Sequence, residues 1–323
     1  MKIDFQMLKI FSAAIFACCS ITLAAQTYPS RPIRFLIGFA PGSSTDIVTR
    51  LLADKLAGRL GQPVIAEQKV GASGVLANDV VARAAPDGHT LTLLTGGHAV
   101  AAVLMKQLPY DPLNGFAMVS TITTYPMIIS VAQDSRIGSF SELLAIARAN
   151  PGKITYSSAG PGSLHHLLGE LVNIEAGVSM INVPFKGASQ AIVDLLGGRI
   201  DAMVETATFS IPQIRGGKVR ALAVSSAMRS RLLPEVPAIA ETVPGVDVSS
   251  WLGVATSPST PQPIIARLNR ELHGILELTD VQKRLADLGG VASPSTPGEM
   301  RARIETEFAR WRRVAELQNI KSR

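Results

Sequence analysis

The chain has 323 residues, with 31 lysines and arginines against 25 aspartates and glutamates, a formal charge of +6. The basic residues are scattered apart from one cluster at Arg310, Arg312 and Arg313, and few aromatic residues accompany them, which gives nucleic-acid binding little support. The only cysteines, Cys18 and Cys19, stand inside an N-terminal uncharged run, so a chain that loses this run has neither a disulfide framework nor a cysteine metal site.

That run, Ile10 to Ala25, follows a weakly basic head (Lys2, Lys9) and ends in small residues at Ala24 and Ala25. This is the three-part layout of a cleavable secretory leader, residues 1–25, and it is shorter than the roughly 20 apolar residues that span a bilayer. The bulky Phe16 within Ile15-Phe16-Ala17-Cys18 speaks against a lipid-modified cysteine. The roughly 300 residues that remain exceed the size at which a single core stops growing, which favours two lobes.

From Ile33 the sequence alternates β-like runs with amphipathic helical segments. Ile33 to Phe39 is continuously apolar, as a strand covered on both faces would be, and Pro41-Gly42 breaks it. Ser43, Ser44 and Thr45 then offer caps to a helix whose apolar stripe is Ile47, Val48, Leu51, Leu52 and Leu56. A strand over 64–67 leads through Lys69 to Gly74 into a helix over 75–85, a turn at Asp87-Gly88 and a strand over 91–95. A strand over 127–131 precedes a helix that opens with Ser139 and Glu142 and stops at Pro151-Gly152. Further strands are expected over 154–157, 180–183, 200–204 and 219–224, with helices after Ser163 and over 188–196. After Trp251 the chain reads as mainly helical, over 261–278, 281–288 and a last helix opened by Thr296 and Glu299. The expected fold class is α/β, with a mostly parallel sheet in each lobe and ligands bound beyond the carboxyl ends of the strands.

Three strand ends carry glycines and small polar residues immediately before a helix: Phe39 to Asp46, Thr95 to His98, and Ser157 to His166. Glycine lets a ligand approach the backbone, and helix N-termini favour an anion, so three such loops in one chain point to a shared carboxylate or phosphate pocket. Enzyme templates are missing: there is no phosphate-loop motif, no G-x-S-x-G elbow and no H-E-x-x-H. His165 and His166 are adjacent and diverge by about 100° on a helix, while His166 with Glu170 has i, i+4 spacing that a polar first turn explains equally well. Lys186 and Glu205 follow strands and could face the cleft or form surface ion pairs. Asp46 could serve a ligand or simply its own helix start.

Taken in order, these motifs resemble the substrate-binding proteins of tripartite tricarboxylate transporters, the Bug family of periplasmic receptors. The carrying segments are Tyr28 to Ile33, Phe39 to Gly42 with Asp46, Pro86 to Leu91, Gly160 to Leu167, Pro184 to Gly187, Arg220 to Val224, Pro234 to Pro237 and Trp251 to Gly253. The resemblance implies a hinged two-lobe fold of the Venus flytrap kind, lobe one formed by residues 26–126 and 252–323 and lobe two by 127–251. It implies a periplasmic monomer that takes a small carboxylate (an organic acid, aromatic acid or amino acid) for membrane transporter subunits, needs no cofactor or metal and is not an enzyme. A sensing module for a signalling receptor and a periplasmic α/β enzyme are the rival readings. Cleft positions carried over from the family are Phe39, Ser43, Ser44, Asp46, Thr95, Gly96, Ser158, Gly160, Gly162, Ser163, His166, Phe185 and Glu205. Ser43, Phe185 and Glu205 depart from the family's usual Gly, Tyr and Asp. An acid at 205 would repel an anionic ligand unless it met a donor on that ligand, which favours a ligand with such a donor.

Overall fold

The computed structural model describes residues 28–185 and 187–320; the leader, its two cysteines and Lys186 lie outside the described residues. The first unit is β1 (Ile33–Ile37), α1 (Ser44–Leu60) and β2 (Val64–Gln68). Ser43 caps α1 by accepting the Asp46 N–H, and Gly61 ends it in the left-handed region, where a residue without Cβ is unstrained. Val48, Leu52 and Leu56 are fully buried on the inner face of α1. Next come a 3₁₀ turn at Ala72–Gly74, α2 (Val75–Ala82), β3 (Thr90–Thr95) and α3 (Gly96–Leu104).

The organising element is β4 (Ala117–Ala132), sixteen residues buried along nearly their whole length. The second half of the molecule adds α4 (Phe140–Ala149), β5 (Thr155–Ser158), α5 (Leu164–Ala176), β6 (Ile181–Pro184), α6 (Ala188–Leu196), β7 (Ala202–Thr206), α7 (Ala207–Arg215) and β8 (Val219–Val224). The chain then returns through β9 (Ser249–Thr256) to α8 (Gln262–Leu276), α9 (Thr279–Asp287), the short β10 (Val291–Ala292) and α10 (Pro297–Leu317).

The first half of β4, residues 117–126, pairs with β9, while residues 127–132 pair with β7 and β8. One side of the sheet therefore reads β2-β1-β3-β9-β4, with β10 also on β4, and the other reads β6-β5-β7-β4-β8. The α/β class is as expected, but the sheets are mixed rather than mostly parallel. The β1–β2, β1–β3, β5–β6 and β5–β7 pairs are parallel, and all pairs made by β4 or β9 are antiparallel. The reason is geometric. β4 leaves the first half at the carboxyl end of β3, its parallel neighbour but one, and enters the second half without turning, so it must run against β5 and β7 there.

Trp251, expected to precede a helical region, lies instead within β9, opposite Thr124 of β4, and is fully buried. Its indole Nε1–H donates to both carboxylate oxygens of Glu307 on α10, at 2.9 and 3.0 Å. Met300 and Ile304, near the start of α10, belong to the core of the first half, and Trp311 and Val314, near its end, belong to the core of the second. Thus α10 is a strut along both halves.

Candidate functional site

Parallel strands place the loops after β1 and β3 at one end of the first half, and those after β5 and β7 at one end of the second. The passage of β4 between the halves turns these two ends toward each other. Two positions register the approach. A Cβ on Gly162 would lie 2.6 Å from Leu104 Cδ1 of α3, and one on Gly96 would lie 3.6 Å from Leu164 Cδ2 of α5. Between them is a cavity of about 430 Å³, within the size range of small-molecule sites. Gly97, Val100, Ala101 and Leu104 of α3 line one wall, and Pro161, Gly162, Ser163 and Leu164 the other. Ala72, held at φ 46°, closes one edge, and Met105 lies beyond Leu104.

Four loop hydroxyls share one arrangement. Ser43 Oγ accepts the Asp46 N–H, Thr95 Oγ1 the Gly97 N–H, Ser158 Oγ the Gly160 N–H and Ser163 Oγ the His166 N–H, at 3.2–3.3 Å. A hydroxyl that accepts in this way keeps its own hydrogen to donate. Thr95 and Ser163 are the N-caps of α3 and α5, so these donors stand beside first-turn N–H groups that have no partner within their helices. Thr95 and Ser163 thus bring hydroxyl and first-turn N–H donors to the two sides of the gap, an arrangement suited to a carboxylate.

The thirteen expected positions divide. Gly162 and Ser163 line the cavity, and Thr95 and Gly96 adjoin its wall at the start of α3. Phe39 is half-buried with its ring edge against Gly74, and thereby joins the first loop to the Ala72–Gly74 turn. Ser43 and Ser44 open α1, while Ser158 and Gly160 shape the loop after β5, with Gly160 at φ 108° in otherwise open space. Gly162 is constrained chiefly by φ 71° and by Leu104, so close approach of a ligand is not needed to explain a glycine there. His166 Nδ1 accepts the Gly162 N–H at 2.9 Å, and its Nε2 lies 3.7 Å from Glu170 Oε1, which ties the loop to its own helix.

Three side chains are engaged within the protein, which for Asp46 and Glu205 is one of the two roles their positions allow. Asp46 is 5% exposed and fully engaged within the protein, its Oδ2 accepting the Gly42 N–H and its Oδ1 accepting Arg50 Nε and Gln68 Nε2. Burial alone would raise its pKa, but these bonds outweigh burial and hold it below the ordinary carboxylate value. Asp46 is a bracket for the first loop. Phe185 is 8% exposed and belongs to the apolar cluster of Ala191, Leu195, Ile200 and Met203, so its ring packs beneath α6. Glu205 is engaged within the protein through one oxygen: Oε1 accepts His165 Nε2 at 2.9 Å and Thr206 N at 2.7 Å. Burial pushes Glu205 up, and the His165 and Thr206 bonds more than reverse it, leaving its pKa lowered.

His165 is the residue that sequence reasoning missed. Nothing in the residue pattern pairs it with Glu205 forty positions away. The link comes from β5 and β7 being parallel neighbours, which brings the helix after β5 to the carboxyl end of β7. His98, by contrast, is buried, donates from Nε2 to the Pro112 carbonyl and is pushed down to about 4 by that burial. Among the described residues no group of three His, Asp or Glu side chains could hold a metal ion.

Over residues 48–320 the sequence matches the tripartite tricarboxylate transporter family receptor. The chain belongs to this family. BugT of Bordetella pertussis is 36% identical over 292 residues, 90% of this chain and 90% of BugT. Two solved structures share the receptor fold: R. palustris Rpa4515 with adipate, at 32% identity and TM-score 0.75, covering 91% of this chain and 99% of that one; and MatC (Rpa3494) from Rhodopseudomonas palustris with bound malate, at 33% identity and TM-score 0.71, covering 89% and 99%. The resemblance read from the ordered motifs is therefore a family relationship.

Proposed function

We propose that this tripartite tricarboxylate transporter receptor captures a small carboxylate in the gap between two lobes, residues 26–126 with 252–323 and residues 127–251. The observation that carries the reading is the set of loop hydroxyls, Thr95 and Ser163 foremost, whose hydrogens remain to donate beside the first turns of α3 and α5. The adipate and malate bound by two relatives support the same ligand class. The carboxylate sits on these hydroxyls and the backbone around Gly96 and Gly162; Ser43, Ser44, Phe39, Ser158 and Gly160 shape the approach. Asp46, His166 and Glu205 hold the loops in place. The lobes hinge about β4 and β9, and closure presents a new surface to membrane transporter subunits. Residues 1–25 export the protein to the periplasm and are removed. The role is capture without turnover.

The test is a thermal-shift panel of small carboxylates, each beside its methyl ester. A ligand present at 100 times its dissociation constant adds about 2.7 kcal/mol of stability. A shift with an acid that its ester fails to give, with the acid recovered unchanged, supports the reading. Equal shifts from acid and ester, or none from any acid, would sink it.

A further inference from the structure

The cavity has a chemistry of its own. Gly97, Val100, Ala101 and Leu104 are spaced i, i+3, i+4 and i+7, which puts them on one stripe of α3. Val100 and Leu104 are already buried in the core of the second half, while exposed Gly97 and half-buried Ala101 leave the rest of the stripe as cavity wall. Across the gap stand Pro161 and Leu164. Among the described residues that line the cavity none is charged, and Ser163 is the one that brings a side-chain hydroxyl. Glu205, the acid expected at the cleft, is not in the lining, and its Oε1 accepts from His165 and Thr206. Donors therefore gather at the starts of α3 and α5, and between them the body of the cavity offers an apolar surface with no charged side chain.

We infer that the ligand is a carboxylate with an uncharged, apolar body, a medium-chain or aryl-substituted monocarboxylate, and that the α3 stripe selects it against dicarboxylates and hydroxylated acids. The inference rests on the carboxylate reading given above and narrows it. One carboxylate is held by the hydroxyls and backbone at the loops, and the tail lies along Val100, Ala101 and Leu104. A second carboxylate carried on the tail along this apolar stretch would lose its water without gaining a charged partner, which is costly.

Calorimetric titration with butyrate, hexanoate, octanoate, adipate and malate separates the possibilities, because hexanoate and adipate share a six-carbon chain and differ at one end. Each pair of methylenes taken into the cavity should tighten the dissociation constant by about tenfold or slightly more. Hexanoate should bind at least tenfold tighter than adipate or malate. Ala101→Leu, which fills the wall with another apolar group, should weaken octanoate at least tenfold more than it weakens butyrate. Tighter binding of adipate or malate than of hexanoate would overturn the inference and leave the carboxylate reading standing. Equal affinity for hexanoate and methyl hexanoate would overturn the carboxylate reading itself, and absence of binding by all five acids would overturn both. Should Ala101→Leu fail to fold, the chain-length series on the unaltered protein decides alone.

Discussion

His165 and Glu205 meet at 2.9 Å across the ends of two neighbouring parallel strands, and the pairing gives a mostly buried acid a charge partner. His165→Ala leaves Glu205 half-relieved of its partners in a mostly buried position. A cost of about 1–3 kcal/mol is expected, read as a lowered melting temperature at pH 7. Glu205→Gln added to His165→Ala should recover part of that loss, since it removes the charge left unpaired. A double variant no more stable than His165→Ala would show that the pair is incidental.

Asp46 gives a pH-dependent expectation of the ordinary sign. Its carboxylate is held below the usual range, so it contributes stability above about pH 4 that is lost as pH falls through its native pKa. Asp46→Asn should lower stability at pH 7 by about 1–3 kcal/mol, flatten the acid limb of the stability profile and weaken carboxylate binding through the loosened Gly42 loop. Thermal unfolding between pH 7 and pH 3 measures the first two effects. An unchanged acid limb would contradict the bracket role.

Glu307 gives the opposite sign. Burial pushes it up to about 7, against the pull of the Trp251 N–H and of Arg303 and Arg310. Between about pH 4.3, where an unfolded glutamate releases its proton, and pH 7, the native state binds more protons than the unfolded chain, so stability falls as pH rises across this window. The full effect is on the order of 3 kcal/mol. Glu307→Gln keeps an acceptor for the indole and should abolish this slope. If the slope persists in the variant, Glu307 is not its source.

Gly162 and Leu104 make a steric pair across the gap. Gly162→Ala meets both a left-handed backbone, worth about 1–2 kcal/mol, and the Leu104 methyl group. Combining it with Leu104→Ala should relieve the second part and leave the first. Additive losses in a double-mutant cycle followed by thermal unfolding would mean that the loop and α3 do not touch as described.

Much of this was legible from local pattern. The α1 stripe, the Thr296–Glu299 cap and the glycine-bearing loops depend on neighbours in sequence, and they stand where their residues indicate. Other features depend on strand order, which no local pattern encodes. Local pattern shows β4 only over 127–131 because its first ten residues, rich in threonine and serine, lack the apolar run of a buried strand, yet α8 and α10 pack on β4 and nearly all ten are buried. β9 has no local signal because Ser249 to Thr256 becomes a strand only by pairing with β3 and β4, Trp251 opposite Thr124 and Ser249 opposite Pro126. The apolar face of α3 was in the sequence, but its use as a cavity wall required the second half of the molecule to be placed against it.

The central claim concerns where a carboxylate sits, and the most direct measurement is a crystal structure of the protein with the acid that gives the largest thermal shift. The carboxylate oxygens should lie about 2.5–3.2 Å from Ser163 Oγ, Thr95 Oγ1 or the amides at the starts of α3 and α5, with the tail along Val100, Ala101 and Leu104. A bound acid elsewhere on the molecule, with this gap empty, would contradict the account.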